Sequence, residues 1–422
     1  MNKNRLFLSL LTAAILLLNA AFLAGCSFVN DVKEEVTDAQ SDDLAASVDK
    51  NLVDANTNFG FNIFKKLINE DSEKNVFISP LSVLLALAMT YNGALGDTSL
   101  EMADALEFEG FDLEELNSGF SDLMAAVKNA DSEIDRAIAN SIWYGMGYDI
   151  KKDFIERNEK YYDSEINEID FSGARAVDTI NGWIEEETRG KIDRMISAIP
   201  EGAVMYLINA IYFKGRWTYP FDEEQTVDDD FYLDGGTAKK VPMMSLKEKF
   251  DYYKGDNFSA LRLPYGEEKM SMYTILPDKG VDVDGVVESM DEEKWNSLKS
   301  SLRSSEVSLK MPRYKIEYGI KLLNDTLTEL GMGIAFDPDR ADFSGIISNE
   351  SAHIWISRVL HKAFIEVNEK GSEAAAATVV EMVESAVPDG GIIEFTVDRP
   401  FFFIIADDRS GSILFMGRVI EP

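Results

Sequence analysis

Alternation of apolar and polar positions is clearest toward the C-terminal end of the chain. His361-Lys362-Ala363-Phe364-Ile365-Glu366-Val367-Asn368 switches side at each residue and includes β-branched positions, which predicts a strand. Ile392-Ile393-Glu394-Phe395-Thr396-Val397 and Pro400-Phe401-Phe402-Phe403-Ile404-Ile405 predict two more. About twenty residues separate the first from the second, and connections that long are usually functional or disordered. The first part, Glu369-Lys370-Gly371-Ser372-Glu373-Ala374-Ala375-Ala376-Ala377-Thr378, sets small residues after a glycine and reads as a hinge. On an extended chain Glu369, Glu373 and Glu381 share one phase, while Ser372, Ala374, Ala376, Thr378, Val380 and Met382 share the other. Entering a sheet, this stretch would turn its charges to water and its small set to the core. Glu384 breaks the phase, so an inserted strand would end at or just before Val383. Alanine and glutamate also favour helix, and an Ala-rich loop helix is the competing expectation.

Elsewhere the pattern is mixed. Leu52, Val53, Phe59, Ile63, Phe64 and Leu67 recur at helical spacing. Ser79-Pro80 opens an apolar helix from Leu81 to Tyr91, closed by Gly93 and Gly96. Asp178 to Ile184 leads a further helix, whereas Tyr206 to Phe213 is a buried strand run. Several strand-like stretches follow between Lys240 and Met311, Met270 to Pro277 among them. Helices and strands do not alternate regularly, which predicts an α+β fold rather than a doubly wound one.

Composition narrows the function. With 422 residues, 45% of them hydrophobic, the chain has enough apolar surface for a large core. Lys and Arg total 41 against 75 Asp and Glu, a net charge of −34, so nucleic acid would be repelled. Only two histidines occur, His353 and His361, and one cysteine, Cys26. There is no HExxH, no paired cysteines and no G-x-S-x-G, so zinc-hydrolase and α/β-hydrolase chemistry lack their parts. Gly145-Met146-Gly147 and Gly331-Met332-Gly333 lack the third glycine of a dinucleotide loop and read as turns. His361, inside an apolar strand run, is expected to be a hydrogen-bonded structural histidine. The chain is therefore expected not to be an enzyme, and to need neither cofactor nor metal.

The N-terminal 25 residues carry Lys3 and Arg5 and then no charge from Leu6 to Gly25, the layout of an export signal, with an uncleaved anchor as the alternative. Leu23-Ala24-Gly25-Cys26 resembles the lipobox of bacterial lipoproteins, in which the cysteine becomes lipidated and N-terminal. That resemblance implies a protein held by lipid on Cys26 at the outer face of a bacterial membrane. Residues 1–25 are thus expected to be a signal peptide, 26–50 an acidic hydrated tether, and 51–422 the folded domain.

From about residue 51 onward the chain resembles the serpin family. The resemblance is carried by Asn75-Val76-Phe77-Ile78-Ser79-Pro80-Leu81-Ser82, Gly93-Ala94-Leu95-Gly96-Asp97-Thr98, Asn181-Gly182-Trp183 through Thr188-Arg189-Gly190-Lys191-Ile192, and Asn209-Ala210-Ile211-Tyr212-Phe213-Lys214-Gly215-Arg216-Trp217. Met311-Pro312-Arg313-Tyr314, Ala341 to Ile346, Arg399 to Phe403 and Phe415 to Val419 follow in the family's order. It implies three β-sheets, about nine helices and an exposed reactive-centre loop whose hinge enters the central sheet after a protease cuts it. Carried over by position, the hinge is Glu369, Gly371, Ser372, Ala374, Ala375, Ala376, Ala377 and Thr378. The scissile bond falls at Ser385-Ala386, with Glu384-Ser385 as the neighbouring alternative. Ser79, Ser82, Asn209 and His361 match a gating cluster beneath the central sheet, and Trp217 a tryptophan near where the loop enters. Ser372 stands where threonine is commoner in the family. The partner implied is a serine protease, elastase-like or subtilisin-like for a cut after Ser385 and glutamate-selective for one after Glu384. Cysteine proteases also stay open. A monomeric inhibitor is expected, and a non-inhibitory binding or storage serpin is the rival.

Overall fold

The computed structural model describes residues 38–131, 134–200, 202–349, 353–372 and 391–422. The helices are α1 (Asp38–Ser47), α2 (Lys50–Glu70), α3 (Pro80–Tyr91), α4 (Gly96–Ala105), α5 (Leu113–Lys128), α6 (Lys152–Tyr162), α7 (Ala176–Glu187), α8 (Val283–Ser289), α9 (Glu292–Ser301) and α10 (Asn324–Glu329). The first strands are β1 (Val76–Ile78), β2 (Asp135–Gly145), β3 (Glu165–Ile169), β4 (Met205–Arg216), β5 (Val227–Tyr232), β6 (Ala238–Lys254), β7 (Phe258–Tyr265) and β8 (Met270–Pro277). Then come β9 (Arg303–Pro312), β10 (Tyr314–Leu322), β11 (Leu360–Asn368), β12 (Gly371–Ser372), β13 (Ile393–Thr396), β14 (Phe401–Asp407) and β15 (Ile413–Val419).

Three sheets result, as the resemblance implies, with ten α-helices among the described residues. The central sheet has the order β10-β11-β12-β4-β2-β3. A second sheet runs β1-β15-β14-β8-β7-β6, and a third is β5-β6-β9-β13. These two are continuous because β6, 17 residues long, serves both. Its Ala238–Met243 stretch pairs with β5, Met243–Tyr252 with β9, and Asp251–Lys254 with β7.

Helix α3 fixes the middle of the molecule. Ser79 caps it by accepting the Ser82 N–H, and Pro80 supplies the fixed φ of a first helical position. The helix is apolar all round and every residue from Pro80 to Thr90 is buried, as a helix within a core must be. Its C-terminal end meets the loop before residue 346 at two glycines: a Cβ on Gly345 would lie 2.6 Å from the Gly93 carbonyl oxygen.

The expected tether is in part folded. Within 26–50, residues Asp38–Ser47 form α1, and Ser41 and Ala45 are 2% and 3% exposed. Composition misled because α1 buries a narrow face of small residues, which hydrophobicity does not signal. Cys26 and the rest of 1–37 lie outside the described residues.

Candidate functional site

The strand β11 turns at Glu369-Lys370, and the chain re-enters the central sheet as β12. Gly371 and Ser372 pair with Asn368 and Val367 of β11 on one side and with Arg216 and Gly215 of β4 on the other. Glycine is required at the first position: φ is +145°, and a Cβ would lie 2.0 Å from the Gly215 carbonyl oxygen. Ser372 is fully buried, and its Oγ shares a 2.7 Å hydrogen bond with the Tyr265 hydroxyl. Burial raises the Tyr265 phenol above its ordinary pKa, so it stays a neutral hydroxyl. The Tyr265 ring stacks on Trp217 at 4.5 Å and meets Phe213 edge-on at 5.2 Å. Trp217 holds the turn from the other side: its Nε1 donates to the Asn368 carbonyl at 2.9 Å and its backbone N–H to that of Lys370 at 3.0 Å.

Glu369 does not face water, contrary to its phase in the sequence. It is 3% exposed, accepts hydrogen bonds from Arg313 and from Thr226 Oγ1, and forms an ion pair with Arg313. Burial pushes its carboxyl up, but the donors outweigh that and hold it below the ordinary glutamate value. The reason for the departure is that Glu369 continues the inward, odd-numbered phase of β11, and the turn at 369–370 reverses the parity, so that Ser372 rather than Glu373 faces the core. Lys370, beside it, remains outward and pairs with Glu223 at 3.0 Å.

Farther along the seam, an isolated parallel bridge joins Leu207 of β4 to Val359, the residue before β11. Beneath that end lies the polar cluster. His361 is buried, and its Nε2 accepts the Ser79 N–H at 3.3 Å. Ser79 Oγ donates to the Leu414 carbonyl at 2.7 Å and accepts from the Ser82 N–H at 3.2 Å. Ser82 Oγ has no hydrogen-bond partner among the described residues, and it borders a small cavity shared with Ala86, Leu207, Val359 and His361. Desolvation lowers the His361 pKa to about 4, so at neutral pH the ring is uncharged and its Nε2 is free to accept.

Ser79, Ser82 and His361 are therefore brought together, whereas Trp217 sits at the other end of the seam with the hinge. Asn209 lies on β4 opposite Asn140, and its side chain is outside the description. Glu373, Ala374 to Thr378, Glu384, Ser385 and Ala386 lie outside the described residues. Sequence reading missed Tyr265, Arg313 and Thr226. Arg313 stood inside a recognised motif, but nothing local to Tyr265 or Thr226 marks a partner in the hinge. Among the described residues no cluster of His, Cys, Asp or Glu could hold a metal.

A family model described as Serpin (serine protease inhibitor) matches residues 54–422. The leukocyte elastase inhibitor of Bos taurus is 36% identical over 382 residues, covering 87% of this chain and 98% of its own. The native state of tengpin, a thermophilic serpin, superposes with a TM-score of 0.82 at 33% identity, covering 89% of this chain and 95% of its own. Human thyroxine-binding globulin, in complex with thyroxine, gives 0.79 at 29% identity, covering 88% and 98%.

Proposed function

The chain belongs to the serpin family, most of whose members are protease inhibitors rather than enzymes, and from that premise we propose that it is an irreversible suicide-substrate inhibitor of serine proteases. A protease would cut the loop after Ser385, or after Glu384, and form an acyl-enzyme. The freed hinge end would then slot into the seam between β4 and β11 and carry the enzyme off before hydrolysis. About fifteen residues at roughly 3.3 Å each would move the cut end by about 50 Å.

The observation that carries this reading is the placement of β12, antiparallel to both neighbours, with Ser372 turned into the core. Were the register of Gly371 and Ser372 continued after cleavage, Ala374 would pair with Ile365 and Phe213, Ala376 with Ala363 and Ile211, and Thr378 with His361 and Asn209. Val380 would replace the Leu207–Val359 bridge. The inward phase of β11, His361, Ala363, Ile365 and Val367, is buried, so the residues laid beside it must also be uncharged. Alanine suits the place next to Phe213, whose ring already fills the space toward Tyr265 and Phe415. Thr378 is the one hydroxyl of this phase that arrives beside the His361 cluster, where Ser82 Oγ waits unpartnered.

The small Ser385, and the name of the bovine relative, support an elastase-like or subtilisin-like target. A lipid on Cys26 would hold the inhibitor at the outer face of a bacterial membrane, acting as a monomer. The test is incubation of the soluble domain with an elastase-like enzyme, followed by denaturing electrophoresis and mass spectrometry of the released C-terminal fragment. A detergent-resistant complex is expected, and Ala376→Arg, which turns a charge inward, should convert the protein into a simple substrate. Cleavage without complex across a broad panel of proteases would establish the non-inhibitory reading instead.

A further inference from the structure

Helix α1 sits in a socket built for it. Ser41, Ala45 and Val48 follow one another at helical spacing on one face, the first two buried and Val48 packed on the core. Arg409, in the turn between β14 and β15, donates from Nη1 to Ser41 O at 3.0 Å and to Ser41 Oγ at 2.6 Å. Its Nη2 donates to the Ala126 carbonyl near the end of α5 at 3.0 Å, and its Nε pairs with Asp407 at 3.1 Å. Ser41 Oγ in turn donates to the Asn129 carbonyl just beyond α5. One planar guanidinium thus ties α1, α5 and the β14–β15 turn together, a use for which lysine would not serve. The small side chains at 41 and 45 let the helix backbone approach closely, and Asp49 then caps α2 so that the chain passes directly into the core.

We propose that this socket shortens the membrane leash, and that the inhibitor's partners are proteases working close to the bilayer rather than free in the medium. The inference rests on the lipid-anchor reading of Cys26. With α1 docked, only residues 27–37 separate the lipidated cysteine from the folded body, a span of at most about 40 Å. Were α1 undocked and extended, residues 27–49 would reach about 80 Å. Docking therefore halves the leash, and the volume that the attachment point on the body can sweep falls about eightfold.

The experiment uses the full lipidated chain, made in a bacterium that processes lipoproteins and reconstituted into phosphatidylethanolamine–phosphatidylglycerol vesicles. Ser300→Cys places a single fluorophore on the body, since Cys26 is acylated, and transfer to a lipid-borne acceptor reports the separation. Arg409→Ala empties the socket, and Ala45→Glu independently wedges α1 off it. Both should lower energy transfer and speed tryptic cleavage at Lys50 by at least tenfold, while the soluble forms still trap protease. Equal transfer in wild type and both variants would overturn the short leash. Equal cleavage at Lys50 in all three would overturn docking itself. Failure of the wild-type chain to float with vesicles would overturn the anchor and the leash with it, leaving loop insertion and the inhibitory reading untouched.

Discussion

The hydrogen bond between Tyr265 and Ser372 offers a direct measure of how firmly the hinge is seated before cleavage. Both residues are fully buried, and their oxygens are 2.7 Å apart. Tyr265→Phe keeps the stack on Trp217 and removes one atom, leaving Ser372 Oγ buried without its partner. An orphaned buried hydroxyl costs about 1–3 kcal/mol, more than the roughly 1 kcal/mol that such a bond contributes net. Ser372→Ala should cost a similar amount from the other side. The double variant leaves no orphan, so its loss should not exceed that of the worse single change, giving a coupling of about 1–3 kcal/mol. Urea unfolding of the uncleaved protein, followed by tryptophan fluorescence and circular dichroism, supplies the four free energies. Additive single losses, with coupling under about 0.3 kcal/mol, would refute the claim that this pair holds the hinge in the seam.

Three further outcomes are expected. Gly371→Ala, which must fit a Cβ 2.0 Å from a backbone oxygen at φ +145°, should expel β12; accelerated proteolysis between Glu369 and Ser372 would report it, and unchanged protection would contradict the geometry. His361 should make stability depend on acid. The unfolded chain takes up its proton near pH 6.5 and the folded protein only near 4, so this contribution is complete above pH 6.5 and is lost on acidification toward pH 4. The loss is on the order of 3 kcal/mol by the usual conversion, and His361→Gln should flatten the urea midpoint over that range; parallel curves would exclude the histidine as the source. Finally, nicking the loop at Ser385-Ala386 should raise the thermal midpoint strongly, because an inserted strand adds a ladder of backbone bonds on both edges. Calorimetry showing no rise would count against insertion.

Local pattern was enough for the elements themselves. The strand expected at 361–368 is β11 at Leu360–Asn368, the run Tyr206–Phe213 lies inside β4, and Ser79-Pro80 opens α3, since periodicity and caps act within a few residues. The two-residue phase expected of the loop falls on residues outside the description, apart from its first members, Glu369 and Ser372. Glu369 shows where local pattern stops. Its burial depends on Arg313 and Thr226, which are 56 and 143 positions away, and no local rule marks a carboxylate as paired. Ser372 likewise meets Tyr265 across 107 positions. Helix α1 was hidden because its small-residue face meets its partner, Arg409, only across 368 positions. What the chain alone determined is the short-range geometry of its pieces. Which charges are buried, and what holds the hinge and the N-terminal helix in place, was decided by tertiary contacts, whose partners are chosen by the closed fold and not by neighbours in the sequence.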